Sequence, residues 1–359
     1  MPEVRTDNQT WIGHWLVGRL RHRTAGRQGG INMQDSKTRL TRLAVLAACI
    51  TTSLLTIPLA TGAGQGERIT KPVISENSSP LEPLAPVARD GYRGQAFLRK
   101  PPGEGPFPAV VLIHGGLTTM RSERLREYVV ASALPSRFLA AGYVVATITY
   151  RSRDVDLQSR VSMDDSVAAV EYLQRLPYVN AASVGIYGCS GGGDLALAVA
   201  AEKRVAAIVA EEPASILFTG VFNSTSRKAG ERYTPFDSAP IFQNPKQHYT
   251  AEHQRTTREK IARIQSPILI VQGDAKTPLA VNDFNAAILI PELQSAHKGV
   301  EVITYPGAPH CFAMGSHPAS AASALKAFRD SDAFFRRHFA TQPKPIDPAL
   351  ITYLPLTSQ

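Results

Sequence analysis

Short runs of Val, Ile, Ala and Leu recur along the chain from about residue 92 onward, each bounded by Gly, Pro or charged residues. Because they show little polar alternation, such runs are typical of strands that are buried on both faces of a sheet. The pattern predicts strands over Ala109–His114, Tyr143–Tyr150, Val184–Gly188, Val205–Ala210, Ile268–Gln272 and Val300–Tyr305.

Segments with a helical period lie between these runs. They predict helices over 123–141, 163–176, 192–201, 281–289 and 319–339. Strands that alternate with helices favour an α/β fold, with a mostly parallel central sheet, helices on both faces and right-handed crossovers. The long, polar and proline-containing stretch 213–263 interrupts this rhythm after the fourth strand. We expect an insertion there, which forms either a cap over the functional site or a surface excursion.

The N-terminal region has the pattern of an export signal. Lys37, Arg39 and Arg42 precede an almost uncharged apolar run that ends in small residues, which indicates a signal peptide over about 33–63. Thr and Pro residues interrupt the run, so stable insertion into a membrane is the weaker interpretation. Cys49 follows Leu-Ala-Ala, which leaves a lipid-anchored lipoprotein as an alternative. We therefore expect an exported protein, periplasmic or secreted.

Composition suggests four regions along the chain. Residues 1–63 form the leader, and 64–90, rich in Pro, Ser and Gly, are expected to form a linker or an arm. The globular pattern covers 91–340, which leaves 341–359 as a C-terminal tail.

The net charge of +9 is concentrated at the N-terminus. Residues 1–63 hold 8 Lys and Arg against 3 Asp and Glu, and the remaining chain holds 31 against 27. The globular part is therefore nearly balanced in charge. Without a block of basic residues or a zinc-type Cys and His spacing, the sequence argues against a nucleic-acid-binding protein and a zinc site.

The strongest chemical motif joins the third predicted strand to its helix. Residues 184–192 read Val-Gly-Ile-Tyr-Gly-Cys-Ser-Gly-Gly, which places Ser190 in a Gly-x-Ser-x-Gly turn. Such a turn holds a nucleophilic serine in a strained conformation, and its glycines are needed because a Cβ would clash with the neighbouring strand and helix. Ser190 is the predicted nucleophile.

A histidine follows the last predicted strand. Residues 305–310 read Tyr-Pro-Gly-Ala-Pro-His, and among the nine histidines only His310 has this placement. From there it can reach over Ser190 as a general base. The order, serine before histidine, is that of hydrolases with a strand-turn-helix nucleophile.

The region from about 92 to 339, two thirds of the chain, resembles an α/β-hydrolase, and specifically the dienelactone hydrolase and prolyl oligopeptidase catalytic-domain branch. The resemblance rests on His-Gly-Gly at 114–116, Tyr150-Arg151, the Leu-Pro-Tyr-Val segment at 176–179, Gly-x-Ser-x-Gly and Tyr-Pro-Gly-x-x-His. It implies a serine hydrolase that works without a metal or an organic cofactor, and it does not specify the substrate.

In such hydrolases the His-Gly-Gly loop and the residue after the nucleophile supply the backbone N–H groups of an oxyanion hole. The resemblance therefore points to Gly191 together with Gly116 or Leu117. The ring of His114 itself is more simply explained as a structural histidine.

The acid of the triad is left open by the sequence. The branch places an aspartate where this chain has Lys276, and Asp274 lies two residues earlier. Asp274 is one candidate, provided that its loop is remodelled. Glu211 or Glu212, at the end of the strand 205–210, is the other, and strand alternation directs only one of the two toward the cleft. A distant acid such as Asp283, or none, is the remaining alternative.

Two cysteines flank the predicted catalytic pair. Cys189 precedes Ser190 and Cys311 follows His310, so a contact between serine and histidine would also bring the thiols together. Fungal-type glucuronoyl esterases have a disulfide in this arrangement, and this similarity implies a Cys189–Cys311 bridge; two buried free thiols are the alternative. Those enzymes carry an Arg where this chain has Gly191, so a uronate substrate is not carried over.

The sequence thus predicts an exported serine hydrolase that acts on a small carboxylic ester through an acyl-enzyme on Ser190. A peptidase of the prolyl oligopeptidase type and a non-catalytic binding protein are the alternatives. Only a few dozen residues separate the leader from the catalytic region, which leaves little room for a domain that would gate peptides. No nucleic acid, metal or cofactor is expected as a partner.

Overall fold

The computed structural model describes residues 69–151, 160–222, 239–276, 280–296, 298–315 and 318–356. Residues 65–359 form one compact unit. The predicted leader over 1–63 lies outside the described residues, so the signal peptide and the lipoprotein alternative stay predictions.

A single large sheet organises this unit. The strands of the described residues are β1 (Thr70–Ile74), β2 (Glu82–Leu84), β3 (Ala96–Arg99), β4 (Phe107–Ile113), β5 (Val144–Ile148), β6 (Val179–Cys189), β7 (Ile208–Glu211), β8 (Ile268–Gly273), β9 (Val300–Tyr305) and β10 (Ile351–Pro355). Eight of them form one sheet in the order β2-β3-β5-β4-β6-β7-β8-β9. The six strands from β5 to β9 in this order are parallel, and β2 and β3 are antiparallel to their neighbours.

Helices connect and cover these strands. Within the described residues they are α1 (Ser122–Ala131), α2 (Ala133–Ala140), α3 (Val161–Gln174), α4 (Gly191–Glu202), α5 (Ala239–Gln243), α6 (Pro245–His248), α7 (Ala251–Arg263), α8 (Val281–Phe284), α9 (Ile290–Ser295) and α10 (Ala321–His338). A π-helical turn over Asn285–Leu289 joins α8 to α9, and 3₁₀ turns cover Pro318–Ser320 and Pro348–Leu350.

Both faces of the sheet are buried, as the apolar runs predict. Along β4, Val111 and Ile113 pack into a core with α3, α4, α7 and α9, whereas Val110 and Leu112 pack into a second core with α2 and α10. Successive side chains of a strand point to opposite faces, so a strand between two helical layers needs apolar residues at every position. The predicted α/β-hydrolase fold, mostly parallel with helices on both faces, is confirmed.

The folded chain extends beyond the predicted limits of 91–340 at both ends. The predicted linker 64–90 contains β1 and β2, and the predicted tail contains β10, which pairs with β1 in an antiparallel two-stranded sheet. Pro72 and Pro83 interrupt the apolar pattern of β1 and β2. Proline argues against a strand because it cannot donate a ladder hydrogen bond, and it is tolerated only at sheet edges. The sequence pattern therefore missed both strands.

Two predicted helices differ in the structure. The segment 123–141 is divided at Ser132, whose extended backbone (φ −80°, ψ 150°) ends α1 and precedes α2. The helix predicted over 281–289 continues through the π-helical turn to Ser295. Pro291 lies just after the π-helical turn, inside this continuous helical stretch, where it lacks the N–H of one internal hydrogen bond.

The predicted insertion 213–263 has two parts. Its last helix, α7, buries Ile261 in the same core as α4, so this part is the crossover helix between β7 and β8. The rest contributes to a separate small core with α8, formed by Ile216, Val221, Phe222, Ile241, Phe242, Val281, Phe284 and Ile288. Leu117 packs against this core, which brings the insertion next to the predicted oxyanion loop. Residues 223–238 lie outside the described residues.

Candidate active site

Ser190 occupies a sharp turn between β6 and α4. Its backbone is in a strained region (φ 52°, ψ −116°) that residues with a side chain rarely adopt. The Ser190 N–H donates a hydrogen bond to the Glu211 carbonyl oxygen (2.9 Å), and the Ser190 carbonyl accepts one from the Ala214 N–H (3.0 Å). These bonds fix the turn against the end of β7. The geometry is that of a nucleophile elbow.

The glycines of the motif are required by close backbone contacts. A Cβ on Gly188 would collide with the backbone of Gly192, and a Cβ on Gly192 would collide with the carbonyls of Ile113 and His114. Helix α4 can therefore approach the end of β6 only without a side chain at position 188, and the end of β4 only without one at position 192. This is the physical reason for the Gly-x-Ser-x-Gly spacing.

The His-Gly-Gly loop lies directly against this elbow. A Cβ on Gly191 would strike the Gly116 carbonyl oxygen, and a Cβ on Gly115 would lie 3.4 Å from the Ser190 Cβ. Gly116 has a left-handed backbone (φ 85°), which glycine adopts without strain. The structure thus brings the predicted oxyanion residues, Gly191 and Gly116, next to each other, with Leu117 following in the same loop.

His114 supports this loop from behind. Its Nδ1 lies 2.8 Å from the Gly115 carbonyl and its Nε2 lies 3.2 Å from the Thr149 Oγ1, and the ring stacks on Tyr150 at 4.6 Å. The Tyr150 hydroxyl in turn donates to the Gly116 carbonyl (2.7 Å). Burial lowers the pKa of His114, which favours the neutral ring. The interpretation of His114 as a structural histidine agrees with these contacts.

His310 lies beside a buried glutamate. Its Nδ1 is 2.9 Å from Oε2 of Glu212, a side chain that is only 1% exposed. The same oxygen accepts a hydrogen bond from the Cys311 N–H (2.6 Å), and Oε1 accepts from the Gly273 N–H (3.0 Å) and the Asn282 amide (2.8 Å). Three N–H donors thus bond to this carboxylate, in addition to the histidine contact.

These donors determine the charge of Glu212. Burial by itself raises the pKa of this carboxyl. The contact with His310 and the hydrogen bonds from Asn282 and Cys311 lower the pKa by more than burial raises it, so that the net pKa is below the usual value. Glu212 is therefore ionised at neutral pH. An ionised carboxylate at Nδ1 orients an imidazole and stabilises its protonated form.

The other acid candidates lie elsewhere. Asp274 is exposed, and its carboxylate accepts a hydrogen bond from the Gly307 N–H. Lys276 and Asp283 are exposed as well. Between the two main candidates, the structure places Glu212 against His310 and assigns Asp274 to a turn. The reason is the position of β7: it is the neighbour of β6, with Cys189 opposite Glu211, so the residue after β7 reaches the elbow.

A disulfide joins Cys189 to Cys311, with Cα atoms 5.8 Å apart. The predicted bridge is confirmed. It connects the residue before the nucleophile to the residue after the histidine, and so links the end of β6 to the loop that follows β9. The bridge and Glu212 together hold this loop at the elbow.

Removing this bridge is expected to destabilise the fold. The two cysteines are 122 residues apart in sequence, and a crosslink that closes so long a loop restricts the unfolded chain strongly, by about 2–5 kcal/mol for native bridges. Urea unfolding of a C189S/C311S double variant should show this loss. Equal stability of the double variant and the parent protein would contradict the expectation.

Asn282 was not identified from the sequence. Its side chain donates to both Oε1 of Glu212 (2.8 Å) and the Gly273 carbonyl (2.8 Å), and so links α8 to the end of β8. An asparagine near a helix start is common because it caps helices, so its type and position carry no functional signal. Its contact with Glu212 joins two segments that are 70 residues apart in sequence.

Among the described residues, no group of three or more His, Cys, Asp or Glu side chains is arranged to hold a metal ion. No helix in these ranges combines the length and apolar character needed to cross a bilayer.

Comparison with known proteins gives relatives on both the sequence and the structural level. The chain is 29% identical to the bile acid-CoA:amino acid N-acyltransferase of Mus musculus over 240 residues, which cover 62% of this chain and 53% of that protein. It is 28% identical to acyl-coenzyme A thioesterase 6 of Homo sapiens over 250 residues, or 66% and 56%. The chain thus spans about half the length of these relatives.

The fold resembles that of carboxyl esterase 2 from the fungus Tuber melanosporum, with a TM-score of 0.53 and 20% identity over 73% of this chain and 87% of that one. At this identity the likeness concerns the fold. The sequence pattern of the prolyl oligopeptidase family matches residues 136–342, more than half of the chain. The prediction of a serine hydrolase is confirmed at the level of the family. This chain belongs to the prolyl oligopeptidase family of the α/β-hydrolase superfamily.

Proposed function

We propose that the protein hydrolyses carboxylic esters through an acyl-enzyme on Ser190, with His310 as the base and Glu212 as the acid of the triad. The observation that carries this proposal is the contact of 2.9 Å between His310 Nδ1 and the buried Glu212 carboxylate. It lies next to a strained serine at a nucleophile elbow, and the Cys189–Cys311 bridge joins the two sides.

The reaction follows from this arrangement. The Ser190 Oγ attacks the ester carbonyl while His310 takes its proton, and the oxyanion forms beside the N–H groups of Gly191 and of Gly116 or Leu117. The protonated imidazole, stabilised by Glu212, then gives its proton to the leaving alcohol. Water attacks the acyl-enzyme by the same steps in reverse, which releases the acid and restores the serine.

Small acyl esters are the substrates that these features support best. The proposed reaction uses only side chains and backbone N–H groups of this chain. The insertion that borders Leu117 packs its aromatic residues Phe222 and Phe242 in its own core. A human relative is named as an acyl-coenzyme A thioesterase, so thioesters form a related class to test. In both classes the leaving group departs more readily than an amine.

Peptide hydrolysis is the second candidate. It is favoured by one observation, the match of residues 136–342 to the prolyl oligopeptidase family. The same triad can cleave an amide if His310 protonates the leaving amine.

A fluorophosphonate probe with intact-mass detection tests the nucleophile. We expect one adduct per chain, located on Ser190 by peptide mapping, followed by turnover of p-nitrophenyl acetate. A thioester and a prolyl p-nitroanilide, assayed in parallel, separate the ester and peptidase candidates. An unlabelled serine and no turnover of any of the three would overturn the enzymatic proposal and favour a binding protein.

We also propose that the protein is exported. The basic and apolar pattern over 33–63 supports this, as does the Cys189–Cys311 bridge, because structural disulfides persist mainly in oxidising compartments. Cell fractionation with N-terminal sequencing should find a processed chain that begins near residue 64. A lipid-modified Cys49 at the new N-terminus would indicate the lipoprotein alternative, and an uncleaved cytosolic chain would contradict export.

A further inference from the structure

Glu211, the last residue of β7, is a second buried carboxylate at the site, and the proposed reaction does not use it. Glu212, which follows it with a left-handed backbone (φ 44°), contacts His310, whereas the Glu211 carboxylate is bonded further along the same loop. Its Oε1 accepts a hydrogen bond from the Ala313 N–H (2.6 Å), and its Oε2 accepts from the Met314 N–H (3.0 Å) and the Tyr187 hydroxyl (3.1 Å).

Glu211 and Glu212 hold the same loop from two sides. This histidine loop, residues 310–315, is closed by a hydrogen bond from the Gly315 N–H to the Cys311 carbonyl (2.7 Å). In its first part Glu212 contacts His310 and accepts from the Cys311 N–H, while Glu211 accepts from its second part. Two adjacent residues, Glu211 and Glu212, thus contact positions 310, 311, 313 and 314 of the segment that carries the base.

The surroundings of Glu211 make its charge costly. Burial raises its pKa to about 7, and the neighbouring charge of Glu212 contributes, while the hydrogen bonds from the loop and from Tyr187 oppose the shift. Tyr128 and Tyr305 are the other titratable groups near it. A buried carboxylate costs folding free energy unless hydrogen bonds replace its lost hydration. Two of the hydrogen bonds that Glu211 accepts come from the histidine loop, and these contacts indicate that it holds the geometry of this loop.

We propose that Glu211 is a positioning residue, which holds the 313–314 turn so that His310 stays against Glu212 and faces Ser190. The inference rests on the proposed function of the triad, but the loop contacts on which it depends are independent of any substrate. Glu211 itself touches neither substrate nor reacting atoms. Its effect passes through the backbone of the histidine loop.

Replacement of Glu211 by Gln tests this without changing the side-chain volume. A glutamine has one acceptor oxygen, so its amide group must face one of the loop N–H groups, donor against donor. The matched control is E292Q. Glu292 is also buried, and its carboxylate is bonded to the side chains of Gln254 and Arg258 on α7.

The kinetic measurement uses full-length protein, with active sites counted by the fluorophosphonate probe. We expect E211Q to lower kcat for p-nitrophenyl acetate per labelled site by about 10- to 100-fold, the effect of a misplaced catalytic group, with an unchanged KM. E292Q should retain the parent kcat. A purely structural role would reduce the number of labelled sites and leave kcat per site unchanged, and this result would overturn the proposal.

Hydrogen exchange separates this proposal from the proposed function. We expect faster amide exchange in E211Q for the peptide that contains 310–315, with no change there in E292Q. If the parent protein is neither labelled nor active, the proposed function fails, and exchange alone then decides whether Glu211 holds the loop. Unchanged exchange in E211Q would overturn the positioning role in either case.

Discussion

Hydrolysis of p-nitrophenyl acetate should fall by at least about 10⁴-fold in kcat when Ser190 is replaced by alanine, because no other group then forms the acyl-enzyme. The fold should be retained, since the substitution removes one oxygen from a half-buried side chain and leaves the backbone of the turn unchanged. Stopped-flow kinetics would show this loss as the absence of both the burst and the steady phase.

A second serine serves as the control for this experiment. Ser295, at the end of α9, donates a hydrogen bond to the Glu292 carbonyl and lies outside the site. S295A is expected to retain activity and the burst. Activity of S190A comparable to that of S295A would show that another residue is the nucleophile, and it would refute the proposed function.

The second large effect concerns the acid. Glu212 accepts from three hydrogen-bond donors and contacts His310, and a glutamine in its place can offer only one acceptor oxygen. The variant E212Q would leave the imidazole without its anionic partner, so kcat is expected to fall by about 10³- to 10⁴-fold, as in triads that lose their acid. Steady-state kinetics per labelled site would measure this effect.

Asp274 is the matched comparison, because it is the other main acid candidate of the sequence and its carboxylate contacts the Gly307 N–H instead of the histidine. D274N should keep kcat close to that of the parent protein. The reverse result, a large loss in D274N with little change in E212Q, would mean that Asp274 serves as the acid in the working enzyme.

The nucleophile motif and the fold could be predicted from local patterns. Continuous apolar runs identified six strands of the sheet, because five of them are buried on both faces; the sixth, the edge strand β9, is partly exposed. The turn at Ser190 was recognisable because its glycines lie within one strand-turn-helix unit, although the close contacts of Gly191 and Gly192 are with residues 113–116. The positions of Cys189 and Cys311, together with the similarity to glucuronoyl esterases, indicated the bridge but left two free thiols as the alternative; the structure has the bridge.

The edge strands and the split helix were less accessible. Strands β1 and β2 contain prolines that hide the apolar pattern, and their pairing partners lie far away in sequence or beyond a turn. The break at Ser132 is a single residue with extended backbone between two helical segments. Local patterns carry no information on such pairings, because the stabilising contacts come from the rest of the fold.

The choice among the acids shows most clearly where sequence information ends. Residue types and spacing establish a strand with an elbow serine, a histidine after the last strand and two acid candidates, Asp274 and the pair at 211–212. Which carboxylate meets His310 depends on β7 pairing with β6 in a register that sets Glu211 opposite Cys189. The same pairing brings the Glu211 carboxylate to the N–H groups of Ala313 and Met314. Such distances arise between segments about 100 residues apart, and therefore only the assembled sheet specifies them.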